Sequence, residues 1–278
     1  MVFFTFWDGP QLSIYENLCL QSFLKHGFEL KIYSYNHFLN ENKAINYAAE
    51  KVIKKSIFKD FGSLSSFANY FRYVALQSVE KGSTWVDLDV LCMSSSWPES
   101  QYIIGFETKK RLNNAVLRIP HDSILLKKLI ENSIKNEIKI YGETGPYLIT
   151  KVIKKYGKDL HLFPINAFYP ISHWELDLFF DPSRFQEAND RLRDSYALHL
   201  YNELLIRAAI PKNVLPPEGS FLHHQFLKYL PDSADLVTLN SDWLRGWRRN
   251  FAERRILNQI AQLLGPLKNP IKHAMHFL

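Results

Sequence analysis

The chain opens on an apolar run, Val2 to Trp7, which reads as a short buried strand. Pro10 to His26 then reads as a helix, with Pro10 able to open it and Gly27 to close it. In FELKIYSY, residues 28–35, apolar and polar positions roughly alternate, which predicts a second strand. A β-α-β start of this kind predicts a parallel sheet with helices on its faces. The polar, Lys-rich stretch from Asn36 to Lys59 is only partly helical in pattern. Beyond it, Leu64, Phe67, Ala68, Phe71, Ala75 and Val79 recur at helical spacing, and that helix ends at Gly82. STWVDLDVLC reads as a buried strand running out into two acids. QYIIGFE and NAVLRIP are further strands, 122–136 and 146–156 are helices, and HLFPINAFYP and SYALHLYN are strand-like. No repeat or low-complexity linker divides residues 1–240, which read as one α/β domain followed by a separate tail, 241–278.

Composition narrows this picture. A chain of 278 residues with 46% hydrophobic positions can bury a sizeable core. VFFTFW is too short, and lacks the preceding basic region, to read as a signal peptide. No run approaches the roughly 18 apolar residues of a spanning helix. Cys19 and Cys92 follow no metal or redox spacing and fit a reducing compartment, so the expected location is cytoplasmic. The net charge of +6 is concentrated in the tail, where seven Lys or Arg face only Asp242 and Glu253. The near-neutral body argues against nucleic acid as the partner.

The chemistry-bearing feature is WVDLDV. Ligands of open α/β sheets sit beyond the carboxyl ends of the strands, where Asp87 and Asp89 stand. Two carboxylates one residue apart at a strand end can reach one divalent ion, and such an ion neutralises a bound diphosphate. D-x-D is also a frequent accident. The hydrophobic strand before it favours a role, because two unpaired carboxylates there are costly without a cation. Two other enzyme classes use a similar string. Dehalogenase-type phosphatases place it on the first strand and need a later Lys and an acidic pair, and no adjacent acidic pair follows here. Polymerase-β-type nucleotidyltransferases have Gly-Ser ahead of the acids, but Gly82-Ser83 lies too close to Asp87 for the intervening turn and helix.

SSFANYFRYVALQSVEKGSTWVDLDV, residues 65–90, resembles the signature region of the DXD glycosyltransferases of family 32 and the related α-1,4-glycosyltransferases. FFTFWDG, NNAVLRIPHDSILLKKLI, TGPYLIT and ALHLYN resemble further pieces of that family in the right order, so the likeness spans residues 2 to 202. It implies a GT-A, Rossmann-like nucleotide-sugar-binding fold and retaining, metal-dependent transfer of a hexose, with UDP-hexose the expected donor. Asp89 is then the principal metal ligand, Asp87 contacts the ion or the donor, and His199 is a third ligand, a set better suited to Mn than to Mg. Arg72 lies against the donor sugar and phosphate. Asn69 stands where the family has Asp and can still hydrogen-bond a sugar hydroxyl. Trp7 and Gly9 belong to the Trp-x-Gly ending of the first strand, where Trp7 stacks on the base. Gly145 opens a helix facing the donor, Asn202 touches the phosphates, and Glu143 is the nearest acid, a candidate catalytic or acceptor-binding carboxylate. The bland alternatives are a surface helix arginine for Arg72, a structural histidine for His199 and a core indole for Trp7. The departures at Asn69 and at Lys81-Gly82, where the family has Gly-Gly, leave a second reading open, a glycan- or membrane-binding protein that keeps the fold without turnover.

In the tail, Trp243, Trp247 and Phe251 recur every fourth residue with Arg245, Arg248 and Arg249 between them, the composition of a helix lying in an anionic membrane interface. Ile256, Ile260, Leu263 and Leu264 do not continue that stripe, and Gly265-Pro266 interrupts it. The other reading is a helix packed on the domain with a solvated basic face. Peripheral attachment to the inner face of a membrane would suit a saccharide or lipid-linked acceptor in lipopolysaccharide, capsule or exopolysaccharide synthesis.

Overall fold

Strand β1 (Val2–Phe6) is an inner strand of a six-stranded sheet, with Phe3, Phe4 and Thr5 wholly buried. The structure, a computed structural model, describes residues 1–36, 46–61, 63–135, 143–240, 242 and 246. After β1 come α1 (Ile14–Lys25), β2 (Glu29–Ser34), β3 (Asn46–Ala48), α2 (Leu64–Ser78), β4 (Thr84–Val86), β5 (Val90–Cys92), β6 (Ile103–Thr108) and β7 (Arg111–Arg118). The chain continues through α3 (Ile124–Lys135), α4 (Pro146–Tyr156), α5 (Ile165–Phe168), α6 (Asp177–Phe180), α7 (Phe185–Leu192), β8 (Ala197–His199), α8 (Asn202–Arg207) and α9 (Phe221–Tyr229). The large sheet runs β3-β2-β1-β4-β7-β6, and β5 pairs with β8 in a separate two-stranded sheet.

The pairings β1 with β2, β1 with β4 and β2 with β3 are parallel, whereas β7 runs antiparallel to both β4 and β6. From β1 the chain winds outward to β2 and β3, then returns to the other side of β1 at β4. That reversal creates a crevice at the carboxyl ends of β1 and β4, the ligand-binding place of doubly wound sheets. The mixed α/β architecture and mainly parallel sheet are consistent with the GT-A, Rossmann-like domain that the sequence resemblance implies.

Three buried clusters hold the layers. Phe67, Phe71 and Ala75 on one face of α2 pack with Phe4, Phe6 and Trp85 on one side of the sheet. Phe3, Phe23, Ile32, Val86 and Val116 fill the other side. A third cluster joins Leu18 of α1 and Leu91 of β5 to Phe179, Phe180 and Phe226. Burying a large apolar side chain contributes about 1.5–3 kcal/mol, so these rows dominate the stabilisation.

Strand β3 forms within the polar 36–59 stretch, α2 stops at Ser78, short of Gly82, and three further elements differ from the sequence pattern. Helix α1 begins at Ile14, because Ser13 and Glu16 form a capping box that outcompetes Pro10 as the start. WVDLDV does not remain one strand, since Val90 N–H donates to the Asp87 carbonyl at 3.0 Å and turns the chain out of the large sheet. HLFPINAFYP supplies a single bridge at Phe163 and then the short helix α5. Residues 37–45, Asn136 and the tail readings at Trp243, Arg245, Trp247, Arg248, Arg249 and Phe251 lie outside the described residues. No helix among the described residues is long and apolar enough to cross a membrane.

Candidate active site

The turn between β4 and β5 sets the geometry. Asp87 N–H donates to the Ala115 carbonyl of β7 at 2.8 Å, and Leu200 N–H donates to the Asp89 carbonyl at 2.8 Å. The first bond ties Asp87 to the large sheet. The second ties Asp89 to the chain leaving β8, where His199 stands opposite Val90. One ligand atom from each of Asp87, Asp89 and His199 lies within 4.8 Å of the other two. Two carboxylates and an imidazole at this spacing could hold a divalent cation.

Asp89 is held from two directions. His199 Nε2 lies 3.2 Å from its Oδ1, and the Asn202 backbone N–H donates to Oδ2 at 2.7 Å. Burial works to raise the Asp89 carboxyl, but the neighbouring His199 and the Asn202 N–H hold it below the usual carboxylate range. Burial likewise disfavours charge on His199, and Asp89 reverses this, raising the imidazole above its ordinary value. Asn202 N–H can point at Asp89 because Tyr201 takes a left-handed conformation, φ 54°, at the start of α8. That is an uncommon and strained choice for a bulky residue. His199 Nδ1 and Asn202 Oδ1 are both buried without a protein partner.

Asp87 is held by α2 and its own strand. Trp85 and Asp87 project from one face, as strand alternation requires, and the Trp85 indole N–H donates to Asp87 Oδ1 at 2.6 Å. Arg72 Nη1 reaches the same oxygen at 3.0 Å, and its guanidinium lies 4.6 Å from the Trp85 ring centre. Arg72 also donates to the carbonyls of Ala68 and Asn114. It is therefore a buried, fully engaged cation, 4% exposed, and not a surface helix arginine. Burial pushes the Asp87 carboxyl up against the pull of Arg72, and the Asp89 charge adds to the push. A cation placed between two such carboxylates relieves that repulsion.

The remaining sequence candidates divide into two groups. Trp7 follows β1 and so sits at the same sheet end as Asp87, β1 and β4 being parallel neighbours. Its indole packs so closely over Gly9 that a Cβ there would lie 2.7 Å from the ring, and its buried N–H has no protein partner. Asn69, by contrast, is 5% exposed and tied into the protein. It donates to Thr144 Oγ1 at 3.2 Å and accepts from the Asn114 amide at 2.9 Å, while Asn114 also donates to Tyr73. Gly145 allows this arrangement, since a Cβ there would come within 2.9 Å of the Asn69 amide. Glu143 is half-buried two residues before that contact.

Sequence reasoning passed over Trp85 and Asn114 as individual contacts. The signal for Trp85 was its two-residue separation from Asp87 on a strand. Asn114 lies within the strand-like segment NNAVLRIP, but its bond to Arg72 comes through the backbone carbonyl, which any residue would carry.

Residues 120–215 match the family model described as the alpha 1,4-glycosyltransferase conserved region. Glu143, Gly145, His199 and Asn202 lie inside the matched stretch, whereas Arg72, Asp87 and Asp89 precede it. Fifteen chains of solved structure match, among them one described as PaToxG glycosyltransferase, 14% identical, with a TM-score of 0.38 over 55% of this chain and 67% of that one. No curated protein sequence matches the chain.

Proposed function

Taking the chain as a glycosyltransferase that resembles family 32 and the α-1,4-glycosyltransferases, we propose that it transfers a hexose, with retention, from UDP-hexose to a saccharide or lipid-linked acceptor in cell-surface glycan synthesis. The observation that carries the reading is the convergence of Asp87, Asp89 and His199 within 4.8 Å at the carboxyl end of β4. The unpartnered Nδ1 of His199 and Oδ1 of Asn202 beside it also fit a polar ligand at this place.

A bound Mn ion would neutralise the donor diphosphate and ease its departure. The protein's own part is to hold the ligands. Arg72 and Trp85 fix Asp87, while Asn202 N–H fixes Asp89. In the transfer, the bond from the sugar C1 to the diphosphate oxygen breaks, with its electron pair going to the phosphate. The acceptor oxygen bonds to C1 on the same face, and its proton passes to the departing phosphate oxygen. Trp7 stacks on the uracil and leaves its indole N–H for a donor oxygen.

The test is release of hexose from a panel of nucleotide sugars with Mn. Hydrolysis that Asp89→Asn abolishes supports the reading, and failure of the protein to bind any nucleotide diphosphate with Mn overturns it. We also assign residues 241–278 to a tail that attaches the 1–240 domain to anionic membrane, on the strength of its Arg and Trp content. Loss of sedimentation with anionic vesicles on removing the tail supports this, and unchanged sedimentation refutes it.

A further inference from the structure

A second group of polar and aromatic side chains gathers one ring away from His199. At the tip of the β6–β7 hairpin, Arg111 Nε donates to Glu107 Oε2 at 2.8 Å. The other carboxylate oxygen, Oε1, faces His173 Nδ1 at 3.7 Å, too far for a hydrogen bond. His173 Nδ1 is buried and has no protein partner. The His173 ring lies 4.4 Å from that of Trp174 and 5.8 Å from that of Tyr201. Tyr201 in turn lies 4.3 Å from His199. From the other side, Arg111 is set 5.9 Å from the ring of Tyr147, which is 56% exposed at the start of α4.

None of Glu107, Arg111, Tyr147, His173 and Trp174 contacts Asp87 or Asp89 through a hydrogen bond or ion pair. A 7% exposed carboxylate, a guanidinium and an imidazole with an unused nitrogen are unusual company on a hairpin tip that merely faces solvent. Burial lowers the His173 pKa to about 4, so the ring is neutral near pH 7 and its free nitrogen can either accept from or donate to a hydroxyl. A hydroxyl set to one side of that 3.7 Å gap could donate to Glu107 Oε1 and accept from His173 Nδ1–H, and Arg111 supplies further donors. The flat faces of Tyr147 and Trp174 offer apolar surface beside these polar groups, the combination that orients a small polar ligand.

We propose that Glu107, Arg111 and His173, flanked by Tyr147 and Trp174, form the acceptor-sugar subsite of this enzyme. The subsite takes a neutral pyranose presenting adjacent hydroxyls. Tyr201 separates it from the metal ligands, which sets the acceptor beside the donor sugar. This assignment rests on the transferase reading above.

Saturation-transfer NMR with the methyl glycosides of galactose, glucose and mannose, in the presence of UDP and Mn, tests it. At least one glycoside should bind the wild-type chain. Glu107→Gln and Tyr147→Ala should each weaken that binding at least fivefold while UDP–Mn affinity stays within twofold. Tyr147 is exposed and Glu107→Gln is isosteric, so both variants should keep the wild-type circular dichroism. Glycoside binding equal to wild type in both variants would overturn the subsite, as would binding of UDP–Mn with no glycoside bound. Glycoside binding that responds to both variants, in a chain that fails to bind UDP–Mn, would support a sugar site here and sink the metal-dependent reading instead.

Discussion

Trp85 and Asp87, two residues apart at the end of β4, are joined by an indole-to-carboxylate hydrogen bond of 2.6 Å, and Arg72 contacts both. The three side chains form one unit in which the ring shields the ion pair from water on one side. Trp85→Phe keeps most of the apolar contact and deletes the donor. It should cost about 1.5–3 kcal/mol, the range for hydrogen bonds to charged groups, read as a lower urea midpoint with an unchanged slope.

Removing one partner of a buried pair leaves the other charge uncompensated. Arg72→Met should therefore destabilise by about 3–5 kcal/mol. In the double variant Arg72→Met with Asp87→Asn, the loss should be smaller than for Arg72→Met alone. Chemical denaturation of all four proteins gives the coupling, and additive losses would show that the pair is not coupled.

His173 makes stability depend on pH. Its folded value, about 4, lies below the 6.5 of an ordinary histidine, with burial the main cause; Glu107 opposes the shift, while Arg111 and His199 reinforce it. The unfolded chain therefore binds the proton more readily. Stability is full above pH 6.5 and declines as pH falls toward 4. Between pH 7 and pH 5 this group should remove about 2 kcal/mol. His173→Gln should flatten that part of the curve, and an unchanged slope would show that His173 does not set it.

Gly145→Ala should test the contact behind the site. The new Cβ would lie 2.9 Å from the Asn69 amide, which is already fixed by Thr144 and Asn114. A cost of about 1–3 kcal/mol is expected from such overpacking, visible as a lower melting temperature. Shortening the neighbour, in Gly145→Ala with Asn69→Ala, should relieve the clash, so the double variant should lose less than the two single losses combined.

Much of the fold was legible because it rests on local pattern. The apolar run of β1 and the helical spacing of Phe67, Phe71 and Ala75 both act over a few residues. What the pattern hid depends on partners far along the chain. WVDLDV reads as one strand until Asp87 binds Ala115 and Asp89 binds the residues after β8. Asn69 reads as a ligand contact when only its place before Arg72 is known, yet its amide is bonded to residues 45 and 75 positions away. The cluster of Glu107, Arg111 and His173 had no sequence signal, since its members come from a hairpin and a distant loop.

The break at Asp87 to Asp89 also gives the candidate centre a mechanical character. Asp87 is anchored to the six-stranded sheet, whereas His199 belongs to the two-stranded one and Asp89, just ahead of β5, is tied to it through Leu200, so their spacing reports how the two sheets are seated on each other. An ion bound there would act as a rivet across the joint. Conversely, a substitution deep in the packing behind Leu91 and Leu198, at Phe179 or Phe226, would reach the centre as a change in the gap the rivet must span.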